Sequence, residues 1–174
     1  MRMRILQAGL RYVAMYGASR ISMSGVAETA KVARGTVYRY FSNGDELLEA
    51  VGEFVRASFE TRVAALARAE PDPRARLAQL LDEPVDDEIW TAVLRLREFQ
   101  PAFTLEFLTA HMPDYIKAYR RAFAADFKKN DYGMTLDNFA KTIARIMVTG
   151  TLLNDDRSIT RRLGLALWDS ISAA

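Results

Sequence analysis

Apolar residues recur three and four positions apart along nearly the whole chain, and no stretch alternates apolar with polar residues long enough to suggest a sheet. The pattern predicts an all-α protein. Ile5, Gly9, Tyr12, Val13 and Tyr16 form one stripe of a first helix, which Gly17 can end in the left-handed conformation that residues with a Cβ avoid. Residues 22 to 48 read as two short helices joined by a three-residue turn, with Ser22 capping the first of them. Ser42 and Asp45 then make an S-x-x-D capping box that opens a fourth helix from about Gly44 to Ala69. At 1.5 Å per residue that helix is about 39 Å long, enough to tie a small head to a larger body. Glu70-Pro71-Asp72-Pro73 is the clearest break, because proline cannot continue a helix and disfavours helical geometry in the residue before it. Further helices are predicted over 73–82, 86–98, 101–128 with Pro113 as a point of fracture, 135–150 and 158–172. The division that follows is a head of residues 1–47 and a body of residues 48–174, bridged by helix four instead of a flexible linker.

Composition narrows the class without naming it. A chain of 174 residues, half of them apolar and a quarter charged, can bury roughly two-thirds of its unfolded surface. No run of about 18 apolar residues could span a membrane, and the basic start Met1-Arg2-Met3-Arg4 runs straight into an amphipathic pattern, so the expectation is a cytoplasmic protein without a membrane partner. The absence of cysteine excludes disulfides, thiolate metal sites and cysteine nucleophiles.

Charge changes the picture more, because it is lopsided. Residues 1–41 hold seven cations (Arg2, Arg4, Arg11, Arg20, Lys31, Arg34 and Arg39) against the single acid Glu28, while the whole chain is only +2. A basic head on a mildly acidic body suits binding to a polyanion, since phosphate neutralisation supplies most sequence-independent affinity. A merely solvated charged surface is the other reading of the same numbers.

The two short helices carry the chemistry. Val26, Ala27 and Ala30 give the first an apolar face, Val32 plugs the turn, and Val37 with Phe41 forms an i, i+4 anchor for the second. Arg34, Thr36, Tyr38, Arg39 and Tyr40 are then left outward, a cluster of donors costly to bury and useful in the major groove of DNA. Tyr38 and Tyr40 could instead be core aromatics.

The segment A-x-x-A-x-V-A-R-G-T-V-Y-R-Y-F-S-x-x-D-E-L-L within residues 5–51 resembles the DNA-binding head of the TetR family of bacterial regulators. The resemblance implies a three-helix helix-turn-helix head and a C-terminal helical bundle that binds a ligand and dimerises. Carried over by position, it makes Arg34, Gly35, Thr36 and Arg39 candidates for base-edge or groove contact, and Tyr38, Tyr40, Ser22 and Ser24 candidates for the DNA backbone. The chain departs from that pattern at Lys31, where a glycine is usual and a side chain is driven towards positive φ. Lys31 in return adds a cation beside the groove. Ala33 stands where a serine commonly caps the recognition helix, and Gly44 where a lysine often grips phosphate. These departures predict weakened but not abolished DNA binding, and they also motivate a rival reading: a small-molecule or protein-interaction module with a degenerate head.

In the body, Leu136, Phe139, Ile143, Ile146, Met147 and Gly150 stripe one helix and Ile159, Leu163, Leu167 and Ile171 the next, faces that suit a four-helix dimer interface or an intramolecular core. The resemblance favours the dimer, whose two-fold axis would set two recognition helices about one DNA turn apart on a palindromic operator. Tyr115, Tyr119, Phe123 and Phe127 recur every four residues and read mostly as core. If the body encloses a pocket, the resemblance lines it with Trp90, Leu94, Phe103, Phe107, His111 and Tyr115, around a mostly apolar effector. His111 lacks a second imidazole or a cysteine to make a metal or catalytic site, and the acids Asp82, Glu83, Asp86, Asp87, Glu88, Asp155 and Asp156 read as helix caps. No phosphate-binding loop, nucleophile elbow or dinucleotide fingerprint is present, so no enzyme activity, catalytic residue, metal or cofactor is expected.

Overall fold

The structure, a computed structural model, describes residues 1–82, 85–153 and 157–173. Its regular elements are all helical: α1 (Arg2–Tyr16), a short 3₁₀ turn at Ala18–Arg20, α2 (Met23–Thr29), α3 (Arg34–Tyr38), α4 (Gly44–Ala69), α5 (Pro73–Asp82), α6 (Asp87–Phe99), α7 (Pro101–Ala110), α8 (Met112–Lys129), α9 (Leu136–Leu153) and α10 (Arg157–Ser172). An N-terminal helix-turn-helix head is thus continued through the long helix α4 into a C-terminal helical body. None of these helices, among the described residues, is long and apolar enough to cross a membrane. Glu83 and Pro84, and the acids Asp155 and Asp156 read as caps, lie outside the described residues.

The predicted fracture near Pro113 falls at His111, between α7 and α8, where φ is −92° and ψ is 6°. The cause is local. Proline has no N–H to donate and its ring collides with the carbonyl four residues back, so Pro113 sits in the first turn of α8, where that N–H has no helical acceptor anyway. Gly17 does end α1, but at φ 92° and ψ 155°, an extended conformation of positive φ instead of the left-handed helical one. That region is open essentially to glycine alone.

Two compact units divide the chain, Met1–Ala57 with Asp87–Phe107, and Ser58–Asp86 with Leu108–Ala174. In the first, α1 packs on α2 and on α6. Val13, Ala18 and Leu96 form a buried cluster, with Ile21, Leu48 and Phe103 packed against it. In the second, α8 packs on α9, and α10 packs on both α9 and α5. Tyr119 and Phe123 are fully enclosed, with Phe59 edge-on to Tyr119 at 5.8 Å and Phe139 edge-on to Phe123 at 5.1 Å. The four-residue aromatic spacing of α8 is therefore core.

Among the described residues of this second unit, Arg76 of α5 is the one charged side chain that is buried. Its guanidinium donates to the Ala122 carbonyl at 2.8 Å and to Asp126 at 3.0 Å, and lies over the Phe123 ring at 4.9 Å. On the surface, Arg74 forks onto Asp169 of α10 at 2.6 and 2.9 Å.

Removing the Asp126 carboxylate leaves a buried cation uncompensated, so Asp126→Ala is expected to destabilise the protein by about 3–5 kcal/mol in urea unfolding. The hydrogen bond from Arg74 holds the Asp169 carboxyl below its ordinary value of 3.8. A carboxylate lowered by folding stabilises fully above its unfolded value, and that contribution is lost as pH falls through the folded one. The melting temperature should therefore drop below about pH 4, and Asp169→Asn should make that drop shallower.

Candidate nucleic-acid interface

The geometry of the head begins with the cap of α2. Ser22 is extended (φ −137°, ψ 130°) and its Oγ accepts the Gly25 N–H at 3.0 Å, as its place before the helix predicts. Gly25 has a second role. A Cβ there would come within 2.2 Å of the Tyr12 ring, so glycine lets α1 lie directly against α2. Val26, Ala27 and Ala30 are buried, as the apolar face of a bracing helix requires.

The turn is a Schellman motif. The Lys31 N–H donates to the Glu28 carbonyl at 2.9 Å and the Val32 N–H to the Ala27 carbonyl at 3.0 Å, which satisfies carbonyls that the end of α2 would leave unpaired. Such a motif places one residue in the left-handed region, and here it is Lys31, at φ 53°. The cost expected from the sequence is thus present. Ala33 then opens α3 without any side-chain cap, again as expected.

Helix α3 is five residues long and is rooted by Val37, fully buried, and Phe41, 2% exposed. Around that anchor Arg34, Gly35 and Arg39 are exposed and Thr36 is half-buried. Tyr38 and Tyr40 are 43% and 39% exposed, so neither ring belongs to the core. The Arg34 guanidinium lies over the Tyr38 ring at 5.1 Å and donates to its hydroxyl at 3.0 Å, holding both side chains on one face. Beyond α3, Ser24 and Lys31 are exposed and Ser22 is half-buried. Gly35 carries no packing obligation, for a Cβ there would meet nothing within 4 Å.

Helix α4 begins one residue later in its capping pattern than the sequence suggests. Asn43, not Ser42, accepts the N–H of Glu46, at 2.9 Å, and the Glu46 carboxylate, not that of Asp45, reaches back to the Ser42 N–H at 2.6 Å. Both asparagine and glutamate suit these two bonds, and glutamate's longer side chain spans the gap to Ser42 better than aspartate's. The Ser42 hydrogen bonds hold the Glu46 carboxyl below its usual value, with a small further contribution from Arg2. At Gly44 a Cβ would meet Ile21 at 3.4 Å, an ordinary contact.

Sequence reasoning missed what holds α6 and α7 to the head. The Gln100 amide accepts the Ala18 N–H at 2.7 Å and donates to Ser19 Oγ at 3.3 Å, and Arg11 pairs with Glu88 at 2.6 Å. These partners lie 82, 81 and 77 positions apart. A lone glutamine between two helices carries no periodic or motif signal that would have found it.

The other candidate sites scatter more. Trp90 and Leu94 on α6, and Phe103 and Phe107 on α7, are half-buried in the first unit. Phe103 packs on the Val13 cluster, and a Cβ added at Gly52 of α4 would come within 3.1 Å of the Phe107 ring. His111 and Tyr115 belong to the second unit. His111 rests 3.4 Å from Asp114, and Tyr115, only 3% exposed, packs edge-on against Phe59. An open groove of about 330 Å³, which the sequence did not signal, lies at the turn between α8 and α9 beside Phe127, Tyr132 and Leu136.

Four of the residues assigned to a dimer interface require correction. Phe139, Ile143, Met147 and Ile171 are buried within the chain itself, Phe139 against Phe123 and Trp168, and Met147 with its sulfur 3.5 Å from the Tyr119 hydroxyl. A helix inside a bundle spends its strongest stripe on its own core. Leu136, Ile146 and Leu167 are half-buried, and Leu163 is 54% exposed, as Leu153 and Ile159 are at 68% and 37%.

Residues 5–51 match the sequence profile described as bacterial regulatory proteins, tetR family. A 75-residue stretch, 42% of this chain, is 45% identical to 37% of the HTH-type transcriptional repressor KstR of Mycolicibacterium smegmatis. The match therefore spans little more than a third of that relative's length. The whole fold is similar to FadR, a fatty acid degradation regulator of Bacillus halodurans (TM-score 0.65, 17% identity, covering 95% of this chain and 98% of that one). It is also similar to SmeT, the repressor of a multidrug efflux pump of Stenotrophomonas maltophilia (TM-score 0.66, 21% identity, 99% and 89% covered).

Both departures at the turn are expected to be reversible costs. Lys31→Gly relieves the positive φ and should stabilise the protein by about 1 kcal/mol. Ala33→Ser supplies the missing acceptor and should add about 0.5–2 kcal/mol. Thermal melting of the two single variants measures both, and a lowered melting temperature in either contradicts the reading of the turn.

Proposed function

We propose that this chain, whose residues 5–51 match the tetR family of bacterial regulatory proteins, is a ligand-responsive, DNA-binding transcriptional regulator. In this reading it is a cytoplasmic repressor that occupies a palindromic operator as a homodimer and leaves when a small, mostly apolar molecule binds. The observation that carries the proposal is the exposed set Arg34, Gly35, Tyr38, Arg39 and Tyr40, with the half-buried Thr36, displayed around a fully buried Val37. Guanidinium groups can fork onto guanine edges, and tyrosine and serine hydroxyls can hold phosphates that fix the register. We assign base-edge and groove contact to Arg34, Gly35, Thr36 and Arg39, and backbone contact to Ser22, Ser24, Lys31, Tyr38 and Tyr40.

Residues 1–47 are then the DNA-binding segment and residues 48–174 carry effector binding and dimerisation. The half-buried aromatic supply of α6 and α7, Trp90, Phe103 and Phe107, supports an apolar effector. The exposed Leu153, Ile159 and Leu163 support a partner copy on the last two helices. For release, the effector must favour the spacing of heads that does not fit the operator, since equal affinity for both states shifts nothing.

The test is retention of a duplex selected from a random-sequence library. The selected sequence should be an approximate palindrome, and Arg39→Ala should weaken binding about 10- to 100-fold, as loss of a base contact does. Tyr40→Phe should weaken it with no change in the dimer mass. Gly44→Lys should steepen the salt dependence by about 0.9 in log–log slope, because it adds a phosphate contact. Failure of the wild-type protein to retain any duplex in dilute buffer overturns the regulator reading.

A further inference from the structure

We infer that Arg2 and Arg4, in the first turn of α1, grip the phosphodiester backbone of DNA beside the helix-turn-helix. This deepens the regulator reading above and rests on it. The Arg4 guanidinium donates to the Lys31 carbonyl at 3.3 Å, in the turn that precedes α3. The Arg2 guanidinium stands 5.4 Å from the ring centre of Phe41, just past the other end of α3. Two arginines a single residue apart in sequence therefore flank the exposed donors of α3 at both of its ends.

Of the seven cations in residues 1–41, Arg11 is held by Glu88 at 2.6 Å, away from α3. Arg2 and Arg4 are exposed. Glu46, the acid whose field Arg2 shares, has its carboxylate engaged by the Ser42 N–H at 2.6 Å. The pair thus extends the same positive surface to which Lys31, Arg34 and Arg39 belong.

The N-terminus of a helix is its positive pole, where cations are unfavourable and acids are preferred. Helices α4, α6, α8 and α9 obey this rule, with Asp45 and Glu46, Asp87 and Glu88, Asp114, and Asp137 in their first turns. Helix α1 departs from it, with two arginines and no acid in its first turn, as does α5, whose Arg74 and Arg76 are answered by the carboxylates of Asp169 and Asp126. An anion drawn from outside reverses the sign of that cost, and the planar fork of arginine matches the oxygens of a phosphodiester.

The experiment uses the whole chain of 174 residues and a non-operator duplex of about three helical turns, because phosphate contacts carry no sequence information. The slope of log affinity against log salt should fall by about 0.9 in Arg2→Gln and again in Arg4→Gln, and by about 1.8 in the double variant. Arg11→Gln, with the same loss of charge, should keep the wild-type slope. Arg4→Lys should keep it too, although it loses the fork that reaches Lys31. Should a glutamine variant lose its cooperative melt, the decision passes to the wild-type protein treated with an arginine-selective dicarbonyl, with and without the duplex. Duplex should then shield Arg2 and Arg4 and leave Arg121 of α8 reactive. A double variant with an unchanged slope, an Arg11→Gln variant that loses as much, or equal reactivity of Arg2 and Arg4 with and without duplex overturns the assignment and leaves the regulator reading standing. Wild-type protein that retains no duplex at any salt removes both.

Discussion

The burial of Val37 and Phe41 is the constraint on which the candidate interface depends. Helix α3 has five residues, far fewer than a helix needs to persist alone in water, and it lacks a side-chain cap. Enclosing one valine and one phenylalanine contributes roughly 1.5–3 kcal/mol each, enough to outweigh a missing cap of about 0.5–2 kcal/mol. Because the two anchors are four residues apart, their burial also sets the rotation of the helix. Arg34, Tyr38, Arg39 and Tyr40 face outward as a consequence, not through any contact of their own with the core.

Departures from local rules concentrate in the same place. Lys31 occupies the left-handed region, Ala33 caps nothing, Gly35 packs on nothing, and α1 presents arginines at its positive pole. Helices α4 and α9 begin with acids and α8 ends with Lys128 and Lys129, as the helix dipole favours. The rival reading, a head in decay, has no observation in its favour: the cap of α2, the Schellman turn and the buried anchor are all intact.

Legibility followed the range of the interaction concerned. The cap at Ser22, the strained Lys31, the absent cap at Ala33, the outward donors of α3 and the fracture near Pro113 were readable because each depends on residues within about four positions. The cap of α4 was readable only approximately, since Ser42, Asn43, Asp45 and Glu46 offer two chemically reasonable pairings one residue out of step. Gln100 was invisible. Its amide matters only because it meets the Ala18 N–H from 82 positions away.

The stripes of α9 and α10 mark the limit most clearly. Periodicity shows that a face is apolar and that water will be excluded from it, and both a subunit's own core and a second subunit satisfy that demand equally. Phe139, Ile143, Met147 and Ile171 were taken by the core and Leu163 was left outside, an allotment that depends on which neighbours α8 and α5 bring against them. What this sequence determined by itself was therefore the helical class, the helix ends and the donors and anchor of the head, all set by spacing, caps and short-range sterics. What only the tertiary structure decided was which apolar stripes face inward, and which distant side chains hold α6 and α7 to the head, because those outcomes depend on packing between elements far apart in the chain.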